Sequence, residues 1–147
     1  MKINTIIFAL LSQHSINHTN MQKQDINQYS SSALSFVGDA VFSLYVRIYL
    51  TQKYDYKSGE LHKISVQIVS AVAQSNFVDT ILEHLTENEL AVYKRCKNAH
   101  QNNKPKSVTY EQYKKASGLE GLLGYLYLDN QLDRLQQIID WQLSTFD

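Results

Sequence analysis

Two acids in this 147-residue chain stand in company where an acid is costly. Asp39 directly follows Gly38 in a stretch that is otherwise nearly all apolar or small, and a carboxylate there loses hydration unless it is paired or holds a metal. At helical spacing Ser35 lies one turn before it and Ser32 two turns before, on a face distinct from that of Leu34, Val37 and Val41. The competing readings of Asp39 are an ion pair with Arg47 and a plainly solvated acid. Glu120 is the only acid between Glu111 and Asp129, beside glycines on a leucine-rich segment. A carboxylate held by closely packed helices is a candidate magnesium ligand. Its competing reading is local, because Ser117-Gly118-Leu119-Glu120 has the Ser-x-x-Glu form of a capping box that would only tie off a helix start.

A second kind of chemistry is electrostatic. Between Leu90 and Tyr110 the chain carries Lys94, Arg95, Lys97, Lys104 and Lys106, with His100 among them and no acid. Lys97, His100, Lys104 and Lys106 are therefore candidate phosphate contacts, against the alternative of an ordinary solvated loop. His62 is open to a nucleic-acid, supporting or purely structural role. Cys96 has no base or partner nucleophile in its sequence context, and Tyr125 and Tyr127 are expected to pack rather than stack on bases.

These residues need elements to hold them. Leu34, Val37, Val41, Leu44 and Ile48 recur at spacings of three and four and predict one buried stripe on a helix from about Ser32 to Leu50. Leu61, Ile64, Ile68 and Val72, continuing through Phe77, Ile81, Leu82 and Leu85, predict one long helix or two abutting ones. Thr86-Glu87-Asn88-Glu89 is a capping box that starts a third, carrying Leu90, Val92 and Tyr93. Lys97 to Ser107 holds the only proline and three asparagines without apolar periodicity, which predicts a loop. Leu119, Leu122, Leu123 and Leu126 form a strong stripe in which Gly121 and Gly124 leave room for another helix, and Asp129-Asn130 is expected to cap a last helix running to Phe146.

Composition sets the frame. With 44% hydrophobic residues, one proline and five glycines, the chain suits a single all-α domain. A single cysteine excludes an intramolecular disulfide and a cysteine-based zinc site, which suits a cytoplasmic setting. No apolar run approaches the roughly 20 residues that span a bilayer, so no membrane partner is expected. Fourteen basic residues balance fourteen acidic ones, and global charge gives no argument for a nucleic-acid partner. Residues 1–20 lack periodicity and are expected to form a separate, disordered extension, with 21–147 as the folded domain and Met21 an alternative start.

Ala33-Leu34-Ser35-Phe36-Val37-Gly38-Asp39-Ala40-Val41 is similar to the signature of ribonuclease III domains, and Leu119-Glu120-Gly121-Leu122-Leu123-Gly124-Tyr125-Leu126-Tyr127-Leu128 resembles their second acidic motif. Together, in so short a chain, they resemble the Mini-ribonuclease III branch, which lacks a double-stranded-RNA-binding domain. Leu61-His62-Lys63, Leu90-Ala91-Val92-Tyr93-Lys94-Arg95 and Asn98-Ala99 extend the likeness, which runs from about Met21 to Leu143. Ser35 and Ser117 stand where larger members carry two further acids.

The resemblance implies a homodimeric, all-α ribonuclease III fold and magnesium-dependent cleavage of double-stranded RNA leaving a 5′-phosphate and a 3′-hydroxyl. It also implies Asp39 and Glu120 as catalytic metal ligands, Phe36 at a two-fold interface, and a precursor of large-subunit (23S) ribosomal RNA as substrate. A large-subunit ribosomal protein is left open as a further partner. The rival readings are a non-catalytic RNA-binding dimer that keeps the fold, suggested by the two serines, and a helical dimer scaffold without RNA.

Overall fold

The computed structural model describes residues 25–99 and 104–147, and within these every regular element is helical. The expectations for residues 1–20, for Met21 and for His100 lie outside the described residues. Six α-helices follow in order: α1 Ser31–Lys53, α2 Ser58–Val69, α3 Ala71–Ile81, α4 Glu87–Lys97, α5 Tyr110–Leu128 and α6 Leu132–Ser144. Short 3₁₀ turns occupy Ile26–Gln28 and Leu82–His84.

The helix starts follow local chemistry. Ser30 accepts from the Ala33 amide at 3.1 Å and opens α1. Ser70 divides the long second apolar pattern into two helices. Its hydroxyl donates to the Gln67 carbonyl at 3.0 Å and accepts from the Ala73 amide at 3.2 Å, closing α2 and opening α3. The capping box of Thr86 and Glu89 is present as expected, and Glu89 also binds Arg134 of α6 at 2.9 Å. That ion pair is partly buried, and together with the Thr86 amide it holds the Glu89 carboxyl below its usual range, although burial, the largest influence, works the other way.

One competing reading falls and one capping expectation is corrected. α5 does not start near Ser117. Thr109 and Gln112 form its capping box, so Ser117 and Glu120 both lie well inside a helix and Glu120 caps nothing. Asp129 and Asn130 do not open α6 but close α5: the Asp129 amide donates to Tyr125 O at 2.9 Å, and Asn130 takes the left-handed conformation, φ 59°, which asparagine tolerates. Gln131 precedes α6 without a side-chain cap.

α5 is the central helix, packed against α1, α4 and α3. On α1 the buried row is Leu34, Gly38, Phe42, Val46 and Leu50, in steps of four, with Val41 beside it. The expected stripe was displaced from this row. Leu44 is 41% exposed and Val37 and Ile48 are half-buried, because the approach of α5 at Gly38 sets which side faces inward. By length and composition α1 is long and apolar enough to cross a membrane, contrary to the expectation that no such segment exists. Here its buried row joins Leu119, Leu122, Leu123 and Leu126 of α5 and Leu135, Ile138 and Ile139 of α6 in one core.

Candidate active site

The site is built on a contact between main chains. A Cβ added to Gly38 would run into the Glu120 carbonyl, and one added to Gly124 would run into the Leu34 carbonyl. Only glycine at these positions lets α1 and α5 approach so closely. Gly121 extends the seam by facing Cys96 of α4 and, at 3.3 Å from its added Cβ, the Ser35 hydroxyl. The consequence is that Asp39, next to Gly38, is carried to the part of α5 that holds Glu120.

The two acids differ in environment. Asp39 is exposed, whereas Glu120 is half-buried and its carboxyl is raised to about 7. Burial is the main cause and the negative charge of Asp39 adds to it, while a hydrogen bond from Gln74 opposes both. Among the described residues no ion pair joins Asp39 to Arg47, which removes that reading of Asp39. Two acids within electrostatic reach of each other, one already resisting ionisation, gain from a shared cation.

The donor set suits magnesium. Two carboxylates are hard oxygen ligands, and magnesium commonly takes one or two of these while keeping several waters. Among the described residues there is no cluster of three or more histidines, cysteines or acids. Close by, Gln74 Oε1 is a buried acceptor without a hydrogen-bond partner among the described residues, a polar atom suited to the water around a bound ion.

Ser35 and Ser117 are joined: the buried Ser35 hydroxyl donates to the Ser117 carbonyl at 2.9 Å. This bond ties α1 to α5. Gln74 was missed in the sequence, although the signal was available, since it lies three and four residues before Phe77 and Val78 on the buried face of α3. A polar side chain on such a face calls for a partner.

The cationic segment is not one loop. Lys97 is the last residue of α4 and pairs with Glu111 of α5 at 2.9 Å, so it is partly committed inside the molecule. Its place in the last turn of α4, with Lys94 and Arg95, also suits the helix dipole. Lys104 is exposed and donates to the Val108 carbonyl at 2.7 Å, and Lys106 is exposed. His62 is exposed on α2, Cys96 is fully buried with its thiol pushed up by burial, and the hydroxyl of Tyr125 accepts from Asn88 at 2.9 Å.

Comparison with known proteins places this arrangement. Residues 32–131 match the profile of the Ribonuclease III domain. The chain is 36% identical over 126 residues to Mini-ribonuclease 3 of Clostridium tetani, covering 85% of this chain and 83% of the relative. It is 38% identical over 120 residues to Mini-ribonuclease 3 of Enterococcus faecalis, covering 80% and 91%. An X-ray crystal structure of a protein from Fusobacterium nucleatum has the same fold, with a TM-score of 0.77 at 32% identity over 84% of this chain and 99% of that one.

Proposed function

Since the chain belongs to the ribonuclease III family, in its Mini-ribonuclease 3 branch, and is an endoribonuclease, we propose that it is a magnesium-dependent homodimer that cuts double-stranded RNA and matures the precursor of large-subunit (23S) ribosomal RNA. The observation that carries the reading is the delivery of Asp39 to Glu120 across the Gly38 contact. Asp39 presents an exposed carboxylate to solvent and substrate, and Glu120 presents a half-buried one whose ionisation is resisted until a cation shares it. A bound magnesium ion supplies a more acidic water and charge stabilisation at the phosphate. The two acids act as ligands and not as proton carriers.

Duplex RNA is recognised mostly through shape, phosphates and 2′-hydroxyls, which a domain of this size can contact without a separate binding module. Lys104 and Lys106 supply phosphate contacts on the exposed segment before α5, with Lys97 adding a weaker one; His100, which lies outside the described residues, is proposed as a further contact.

The dimer reading rests on Phe36, which is 81% exposed on α1. With Ala40 and Leu44 it forms an outward row at four-residue spacing, opposite to anything the protomer's own core uses. Arg47, Leu50 and Thr51 of α1 and Leu61, His62 and Ser65 of α2 line a separate cavity of about 360 Å³. An isologous contact would seat each Phe36 on the partner's α1.

A plain RNA duplex incubated with the protein tests the central claim. Cleavage in magnesium, its absence in a chelator, and binding without cleavage in calcium are expected. A retained gel shift with no cleavage at any magnesium concentration would overturn the magnesium-dependent reading.

A further inference from the structure

Gln74 lies on α3 and is 1% exposed. Its Nε2 carries two hydrogens and uses both. One goes to the Val69 carbonyl, at 3.0 Å, at the end of α2, and the other to Glu120 Oε1, also at 3.0 Å. Turning the amide over would set its oxygen against two acceptors, so the orientation follows from the partners themselves. The remaining atom, Oε1, is buried and has no partner among the described residues. Leucine or methionine would fill the same volume without leaving an acceptor unmet, so core packing alone does not account for an amide here.

We propose that Gln74 is a positioning residue for the cation site, its Nε2 holding Glu120 by Oε1 so that Oε2 is left for the cation, and its Oε1 accepting a hydrogen bond from water around that cation. The proposal rests on the reading of Glu120 as a metal ligand. The anchoring bond to Val69 gives the amide its aim. It ties Gln74 to the corner at Ser70 where α2 ends and α3 begins, so a fixed stretch of backbone, and not a free side chain, sets where Glu120 is held. Partners of ligands act in this way by fixing ligand orientation, and their loss commonly weakens metal affinity roughly 10–100-fold.

The test uses the full chain without RNA and manganese(II) as the probe, with free ion read by electron paramagnetic resonance. Gln74→Leu and Gln74→Met both remove the amide at similar volume, and either serves if the other does not fold. The expected result is a folded protein with a lower melting temperature in a chelator from the two lost hydrogen bonds, manganese affinity weaker by about 10-fold or more, and a matching fall in kcat on duplex RNA with KM unchanged. A lower melting temperature with manganese affinity and kcat within about twofold of wild type would make Gln74 structural only and overturn the proposal. Glu120→Gln run in parallel separates the two claims: if it binds manganese like wild type, the site reading itself fails, whereas if it alone loses manganese, only the role of Gln74 falls.

Discussion

At the scale of single residues, Asp39 and Glu120 make opposite demands on the fold. Glu120→Gln removes a half-buried charge but keeps an oxygen for the Gln74 amide, so the fold should survive while cleavage falls by more than the roughly 10–100-fold typical of losing an outer partner. Asp39→Asn should behave alike, and RNA binding measured in calcium should persist in both. Wild-type cleavage by Glu120→Gln at saturating magnesium would remove Glu120 from the site. The raised Glu120 carboxyl also predicts a pH dependence. Between its ordinary 4.5 and about 7, the folded metal-free protein holds a proton that the unfolded chain has lost. Stability from this group is therefore complete below 4.5 and is lost as pH rises through about 7. Thermal unfolding in a chelator should show that slope in wild type and lose it in Glu120→Gln, while cleavage should run the other way, rising with pH as the carboxylate becomes available to the cation.

At the scale of elements, the site is only as good as the seam between α1 and α5. Gly38→Ala would drive a methyl into the Glu120 carbonyl, an atom of a rigid helix that cannot swing aside. The overpacking should cost about 1–3 kcal/mol or more, seen in urea unfolding, and should cut cleavage even where folding survives, because the two acids are pushed apart. Gly59→Ala is the control, since a Cβ there meets nothing within 4 Å and should leave both quantities near wild type. Much of this seam was legible in the sequence: Gly121 and Gly124 among leucines announced a close helix contact, and the capping box of Thr86 announced α4. What was not legible were features decided by several local signals competing at once. Ser117-x-x-Glu120 and Thr109-x-x-Gln112 both have cap-like spacing, and only the burial of Leu119 and Leu122 two turns inside α5 selects the second. The place of Gln74 on a buried helix face was legible, but its pairing with Glu120, 46 residues away in the chain, is one no local pattern encodes.

At the scale of the whole molecule, zero net charge means that affinity for RNA must come from local placement and not from a global field. Neutralising Lys97, Lys104 and Lys106 together should flatten the salt dependence of duplex binding by up to about 2 in log–log slope, with Lys97 contributing least because Glu111 already holds it. An unchanged slope would take the segment off the RNA. The two-fold assembly is the larger question, since a duplex has two strands and each protomer offers one pair of acids. Phe36 stands on the same helix as Asp39, three residues before it, so whatever buries Phe36 also orients the acid. Phe36→Glu places a charge where an aromatic ring would be enclosed, and burying an unpaired charge is costly enough to dissociate a dimer while leaving the protomer, in which position 36 is exposed, fully folded. Light scattering should therefore report monomers with an unchanged helical signal and melting transition, and cleavage should fall with dimer content and recover in part at high protein concentration. If Phe36→Glu remains a dimer of wild-type affinity, the two-fold axis does not pass by this face, and the pairing of the two active sites must be sought on another surface.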